Sequence, residues 1–264
     1  MEPDEARSSV FLADSDTSIH HFLSLQAHQF GKHSVLDALA QGRFPPAVVA
    51  WAWRRRKSVI DNFLILLKRT KLTALQEGKA ELAAAIHANL ADEYGLDPES
   101  GRPTGEGSHR EWARWLMEAL DVLDPPGGSD QNTSAHRPQW NLLPYRDHDH
   151  LAVLAGMCMA VEKSIPIEYH AFLKALEAAF PALDSSDHPR ALHLLKDHVV
   201  HDEQRHLPDL VDGYLGAAPG SLHVKIHAEP DLERHSLDIA RGVERVFAMR
   251  LRFYDELASE LMSE

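Results

Sequence analysis

Hydrophobic positions along the chain recur with a helical period almost everywhere, and this spacing predicts seven helical segments. The first covers about 18–41 and stops at Gly42. The second opens at Pro45-Pro46, a favourable first turn, and runs to about Lys71. The third spans about 79–93. The fourth spans 108–123, with Ser108 as N-cap and Pro125-Pro126-Gly127-Gly128 behind it. The fifth, about 149–179, contains Pro166 and is expected to kink there. The sixth covers about 189–215 and the seventh about 230–261. Only Leu222–Ile226 alternates like a strand. The connections 94–107 and 125–146 are long, as functional or mobile loops often are. The expectation is an all-α chain with a tail over 1–17 and a single helical domain over 18–264.

The faces of these helices hold the candidate chemistry. His198, Asp202 and His206 are spaced i, i+4, i+8 and share an arc of about 80°. Ala191, Leu194 and Leu195 continue that face, so it points inward. Two imidazoles and a carboxylate suit a borderline divalent metal. Arg205 falls on the same face, either at a substrate or paired with a core carboxylate, and His201 lies beside it. In the third segment Leu82, Ile86 and Asn89 form an inward stripe that ends on Glu93. In the fourth, His109 heads a stripe through Trp112, Ala113, Leu116, Leu120 and Leu123. In the fifth, Glu162 sits among Leu151, Leu154, Ala155, Cys158, Ile165 and Tyr169, while Glu168 lies about 100° away. A carboxylate on an apolar face needs a partner or a cation. Three carboxylates and three imidazoles turned inward have the composition of a two-metal site. Strict ferritin-type Glu-x-x-His pairs are not met. Glu106 lies between glycines ahead of its helix, and Glu203 points away from the inner face.

Composition narrows the classes. The chain has 264 residues, a formal net charge of −13 and 18 histidines, so a phosphate-backbone partner is disfavoured. One cysteine, Cys158, excludes an intrachain disulfide and a Cys-rich zinc site. No apolar run reaches transmembrane length, and the acidic N-terminus lacks the order of a secretory signal. A cytoplasmic protein without nucleic-acid or membrane partners is expected, with monomer or homodimer left open.

The ordered set Glu93 (ANLADEYG), His109 (GSHREW), Glu162 (MAVEKSIP) and His198/Asp202/His206 (HVVHDEQRH) resembles that of the haem-oxygenase-like di-iron oxidases and oxygenases. That resemblance implies a seven-helix bundle without haem and two Fe(II) ions, or Mn, held by these six residues. It also implies O2 as co-substrate, a small-molecule substrate and an external electron source. Known outcomes include N-oxygenation, desaturation and C–C cleavage. Three departures stand out. The last histidine comes one residue late, with Arg205 in the expected place, which a π-bulge would absorb. The gap from Glu93 to His109 is long. The second segment has no Glu, and Asp61 lies off its inner stripe.

Inward on that second segment, with Val49, Trp53, Ile60 and Leu67, lies Arg56. It could clamp a substrate carboxylate bidentately, or pair a core carboxylate. With the family resemblance it points to a small carboxylate substrate, an amino acid or derivative in specialised biosynthesis. Two alternatives stay open. One is a metal-free enzyme of thiaminase or quinone-biosynthesis type, with Cys158 as nucleophile in the thiaminase case. The other is a non-catalytic metal-binding bundle.

Overall fold

The computed structural model describes residues 15–56, 58–105, 107–125, 149–183, 185, 187–201, 206–215 and 231–261. The first of the seven expected segments is divided in two, and the second and sixth are each described as two helical stretches on either side of residue 57 and of residues 202–205, which lie outside the described residues. The first becomes α1 (Ser15–Gly31) and α2 (Ser34–Ala40), separated where the His33 side chain accepts from Val35 N and caps α2. The second becomes α3 (Pro46–Arg56) and α4 (Ser58–Gln76), and α5 (Ala80–Glu93) follows. Then come α6 (His109–Leu123) and α7 (Leu151–Ala179), which continues through Pro166 without a break. The sixth becomes α8 (His193–His201) and α9 (His206–Leu215), and α10 (Asp231–Leu261) ends the described fold. The expected bulge near Asp202–Arg205, the strand at Leu222–Ile226, most of the 125–146 connection and the 1–14 stretch lie outside the described residues. Among the described residues the chain is all-α; its only bridge is an isolated antiparallel one between Leu96 and Pro103.

Helix α7 is the axle of the bundle. It packs against α1, α2, α3, α4, α8, α9 and α10. Its first eleven residues, LAVLAGMCMAV, are all buried, so this half has no solvent face; the second half exposes His170, Lys174 and Glu177. A helix apolar all round belongs in the middle of a fold. Its tightest partner is α10, and glycines make the approach possible. A Cβ on Gly156 would sit 2.2 Å from the Ile239 carbonyl oxygen, and one on Gly242 would sit 2.1 Å from that of Val153. Helices α5 and α6 sit outside this layer: α5 packs on α4 and α9, α6 on α8 and α5, and their apolar stripes, Leu82 and Ile86 of α5 and Leu116 and Leu120 of α6, are all buried.

The 94–107 connection is tied down rather than loose. Asp97 N donates to Arg102 O, Gly101 N to Asp97 O, and Thr104 N to Gly95 O. Gly95 has φ 65°, and a Cβ there would lie 2.5 Å from the Gly107 carbonyl oxygen. The loop therefore closes on itself, which holds the end of α5 beside the start of α6. The extra residues between Glu93 and His109 fold into this closed loop, and the two side chains still meet.

Candidate metal centre

Two helix ends and the interior of a third helix build the centre. Glu93 is the last residue of α5, His109 the first of α6, and His198 lies within α8. A capping box starts α6: Glu111 N donates to Ser108 Oγ, and Ser108 N donates back to the Glu111 carboxylate. This fixes the direction in which His109 leaves the helix. The three side chains offer ligand atoms that all lie within 4.8 Å of one another, and all three are buried. Glu93 Oε1 is 3.1 Å from His109 Nδ1. The two imidazole rings are stacked obliquely, with centroids 4.2 Å apart.

Two details set the chemistry of this cluster. His198 Nδ1 lies 2.9 Å from the Leu194 carbonyl oxygen, which can only accept. Nδ1 therefore carries the proton, and Nε2 keeps its lone pair for a metal. Among the described residues, Glu93 Oε2 is buried without a hydrogen-bond partner. A buried carboxylate oxygen left bare is costly unless a cation meets it. Carboxylate plus two imidazoles, without thiolate, is a donor set for iron, manganese or zinc. The residues thus fit one ion. His109 Nε2 also faces Asp197 Oδ2 at 3.8 Å.

Beside the cluster lies a narrow cavity that it shares with Arg56 and Tyr169, walled by Phe63, Val161, Ile165 and Leu194. It leaves about 10 Å³ for the centre of a water-sized sphere, room for roughly one water.

The other expected residues fall as follows. Glu162 is buried and accepts from Asn89 Nδ2, one turn before Glu93 on α5; among the described residues it is outside the three-residue cluster. Asp202 and Arg205 lie outside the described residues, as do the side chains of His201 and His206. Arg56 is inward, and its Nε donates to Glu168 Oε2 at 2.6 Å, the core-carboxylate pairing that stood as the alternative to a substrate clamp. Arg250 Nη1 donates to the same oxygen at 2.8 Å, and Tyr254 Oη donates to Oε1 at 2.7 Å. Burial alone would raise the Glu168 carboxyl. The charges of Arg250 and Arg56, with hydrogen bonds from Tyr254 and Arg56, outweigh it and hold the carboxyl below its ordinary value.

Sequence reasoning missed Asp197, the Asn89–Glu162 bond and the arginine pair on Glu168. Asp197 is adjacent to His198 in the chain, so face arithmetic turns it away. Glu168 and Arg250 lie on long helices far apart in sequence.

The class these features define is an all-α bundle whose core holds a buried Glu/His/His cluster able to bind a metal ion. No family model and no curated protein sequence matches the chain. Among solved structures it is similar to a CADD-like protein of unknown function from Nostoc punctiforme PCC 73102. The identity is 14%, the TM-score 0.60, and the match covers 92% of this chain and 98% of that one. At that identity the likeness shows a shared helical fold. No helix among the described residues is long and apolar enough to cross a membrane.

Proposed function

We propose that the chain is a non-haem, iron-dependent oxidoreductase that uses O2 on a small substrate bearing a carboxylate. The observation that carries the reading is the buried Glu93/His109/His198 cluster, with a bare carboxylate oxygen, beside a cavity of apolar and aromatic walls. Its agreement with part of the ligand set of the haem-oxygenase-like di-iron enzymes supports it. Glu93, His109 and His198 would hold one ion; Asp202 and His206, with Glu162 released from Asn89, would complete a second. When bound, Fe(II) supplies electrons to O2.

The chain's own contribution is positioning and exclusion of water. The Leu194 carbonyl fixes the His198 tautomer. The α6 capping box and the closed 94–107 loop hold His109 against Glu93. Phe63, Val161, Ile165 and Leu194 leave too little space for bulk water, which protects a reactive oxidant. Insertion of one oxygen atom of O2 into a substrate sends the other to water and takes an electron pair from an external reductant.

The cysteine alternative is weakened by its surroundings. Cys158 is fully buried, and burial pushes its thiol up to about 12, with the nearby Glu162 charge adding to this against a hydrogen bond shared with Thr70. A thiol held that high is not a nucleophile at neutral pH.

The test is anaerobic loading with Fe(II), metal analysis, and O2 uptake on mixing with air-saturated buffer. We expect up to two irons per chain and O2 uptake that disappears in Asp202→Ala. Absence of bound iron, or uptake unchanged in that variant, overturns the reading.

A further inference from the structure

The cluster around Glu168 does not balance its charge. Two guanidinium groups, Arg56 and Arg250, converge on one carboxylate, and the third partner, Tyr254, is a phenol. Arg56 and Arg250 are each 1% exposed and Glu168 and Tyr254 0%, so solvent does not supply the missing counter-ion. Among the described residues, Arg56 Nη1, Arg250 Nε and Arg250 Nη2 are buried without an acceptor. A buried cation whose N–H groups lack acceptors is unfavourable, and an anion that reaches it gains from both charge and hydrogen bonding.

Of the two arginines, Arg56 is the one that lines the cavity beside Glu93, His109 and His198. Its guanidinium lies over the Tyr169 ring, 4.6 Å from the centroid, and the Tyr169 ring lies 5.0 Å from that of His198. The arginine is thus anchored at Nε by Glu168 and against an aromatic face, with Nη1 left over.

We propose that this cavity is a monoanion subsite, in which Arg56 Nη1 donates to a carboxylate and the excess charge of the Arg56/Arg250 pair balances it. The ligand class follows from the shape and charge of the place. The surplus is a single positive charge, which suits a carboxylate better than a phosphate dianion. The cavity has room for about one water, so the group it takes is the smallest flat carboxylate head. The subsite deepens the proposed function, on which its catalytic meaning rests, but its anion binding is measurable without turnover.

Formate, the smallest carboxylate, is the probe. The full chain, metal-free and Mn(II)-loaded, is titrated with sodium formate at constant ionic strength set by sodium chloride, and Tm and formate affinity are read. Wild type is expected to gain Tm with formate and not with chloride. The Mn(II)-loaded form should respond more strongly, because a cation on Glu93 removes the competing negative charge. Arg56→Met leaves Glu168 with Arg250 and Tyr254, a balanced set, and should bind formate at least tenfold more weakly. Arg56→Lys keeps the charge and should retain part of the response. If Arg56→Met does not fold, Glu168→Gln with both arginines retained decides: it raises the surplus and should tighten formate binding. Equal formate response in wild type and Arg56→Met, no response in wild type, chloride as effective as formate, or no tightening in Glu168→Gln overturns the subsite. Failure of Mn(II) to bind would instead overturn the metal reading, and the metal-free formate comparison would still decide the subsite.

Discussion

Two buried polar clusters share the core and differ in what they lack. Around Glu168 the carboxylate is over-supplied: two arginines and a tyrosine donate to it. Around Glu93 the carboxylate is under-supplied: imidazoles surround it, and Oε2 has no donor. In the first cluster the carboxylate has its full set of donors, and the positive charge is what is left over. The second becomes favourable when a cation arrives. Burial is similar in both, so burial alone does not separate a structural carboxylate from a ligand; the neighbours' charges do.

The largest expected effect breaks the first cluster. Glu168→Ala strands two arginines in the core and should lower stability by about 3–5 kcal/mol in urea unfolding. Glu93→Ala, measured on metal-free protein, should change stability far less, because it removes a carboxylate that lacks a donor. Equal losses in the two variants would erase the distinction.

Metal sharpens the contrast from the other side. Saturation at a hundredfold excess over Kd should add about 2.7 kcal/mol to wild-type stability. Glu93→Gln and His198→Ala should lose this increment, seen as a Tm that no longer responds to Fe(II) or Mn(II). Glu168→Gln, if folded, should keep it.

Acid separates the clusters more gently. The Glu168 carboxyl is held below its ordinary value of 4.5, so its ion pairing stabilises the fold fully above that value. That contribution is lost as pH falls through the lower folded value. The urea midpoint of wild type should therefore fall more between pH 7 and pH 3 than that of Glu168→Gln. Parallel curves would mean that Glu168 does not contribute in this way.

The smallest effect concerns Cys158. With its thiol pushed up to about 12 and fully buried, native protein should resist iodoacetamide at pH 8 and react only once unfolded. Cys158→Ala should leave O2 uptake intact. Rapid native alkylation with loss of activity would bring the metal-free reading forward.

How far the site could be read along the chain depended on the kind of helix. In α5, α6 and α8 an apolar stripe has one direction, so Glu93, His109 and His198 could be placed inward by angle alone, and the structure brings those three together. In α7 the angle carried little information. Its first half is buried all round and its second half exposes only the His170, Lys174 and Glu177 side, so Glu162 and Glu168, on different faces, are both in the core. Glu168 was set aside because it lies about 100° from the Glu162 stripe, yet it too lies off the exposed side of α7 and is buried. Arg56 was correctly placed inward, but its partner lies 112 residues away on α7.

The sequence by itself determined the helical period, the N-cap at Ser108, most of the helix limits and three inward ligand-type side chains, because these depend on neighbours within a turn or two of the chain. Only the tertiary structure decided which inward groups meet. Pairing between helices is set by how whole faces pack around α7, and local spacing does not encode that packing. It assigned Arg56 and Arg250 to Glu168, Asn89 to Glu162, and the bare oxygen of Glu93 to the two histidines.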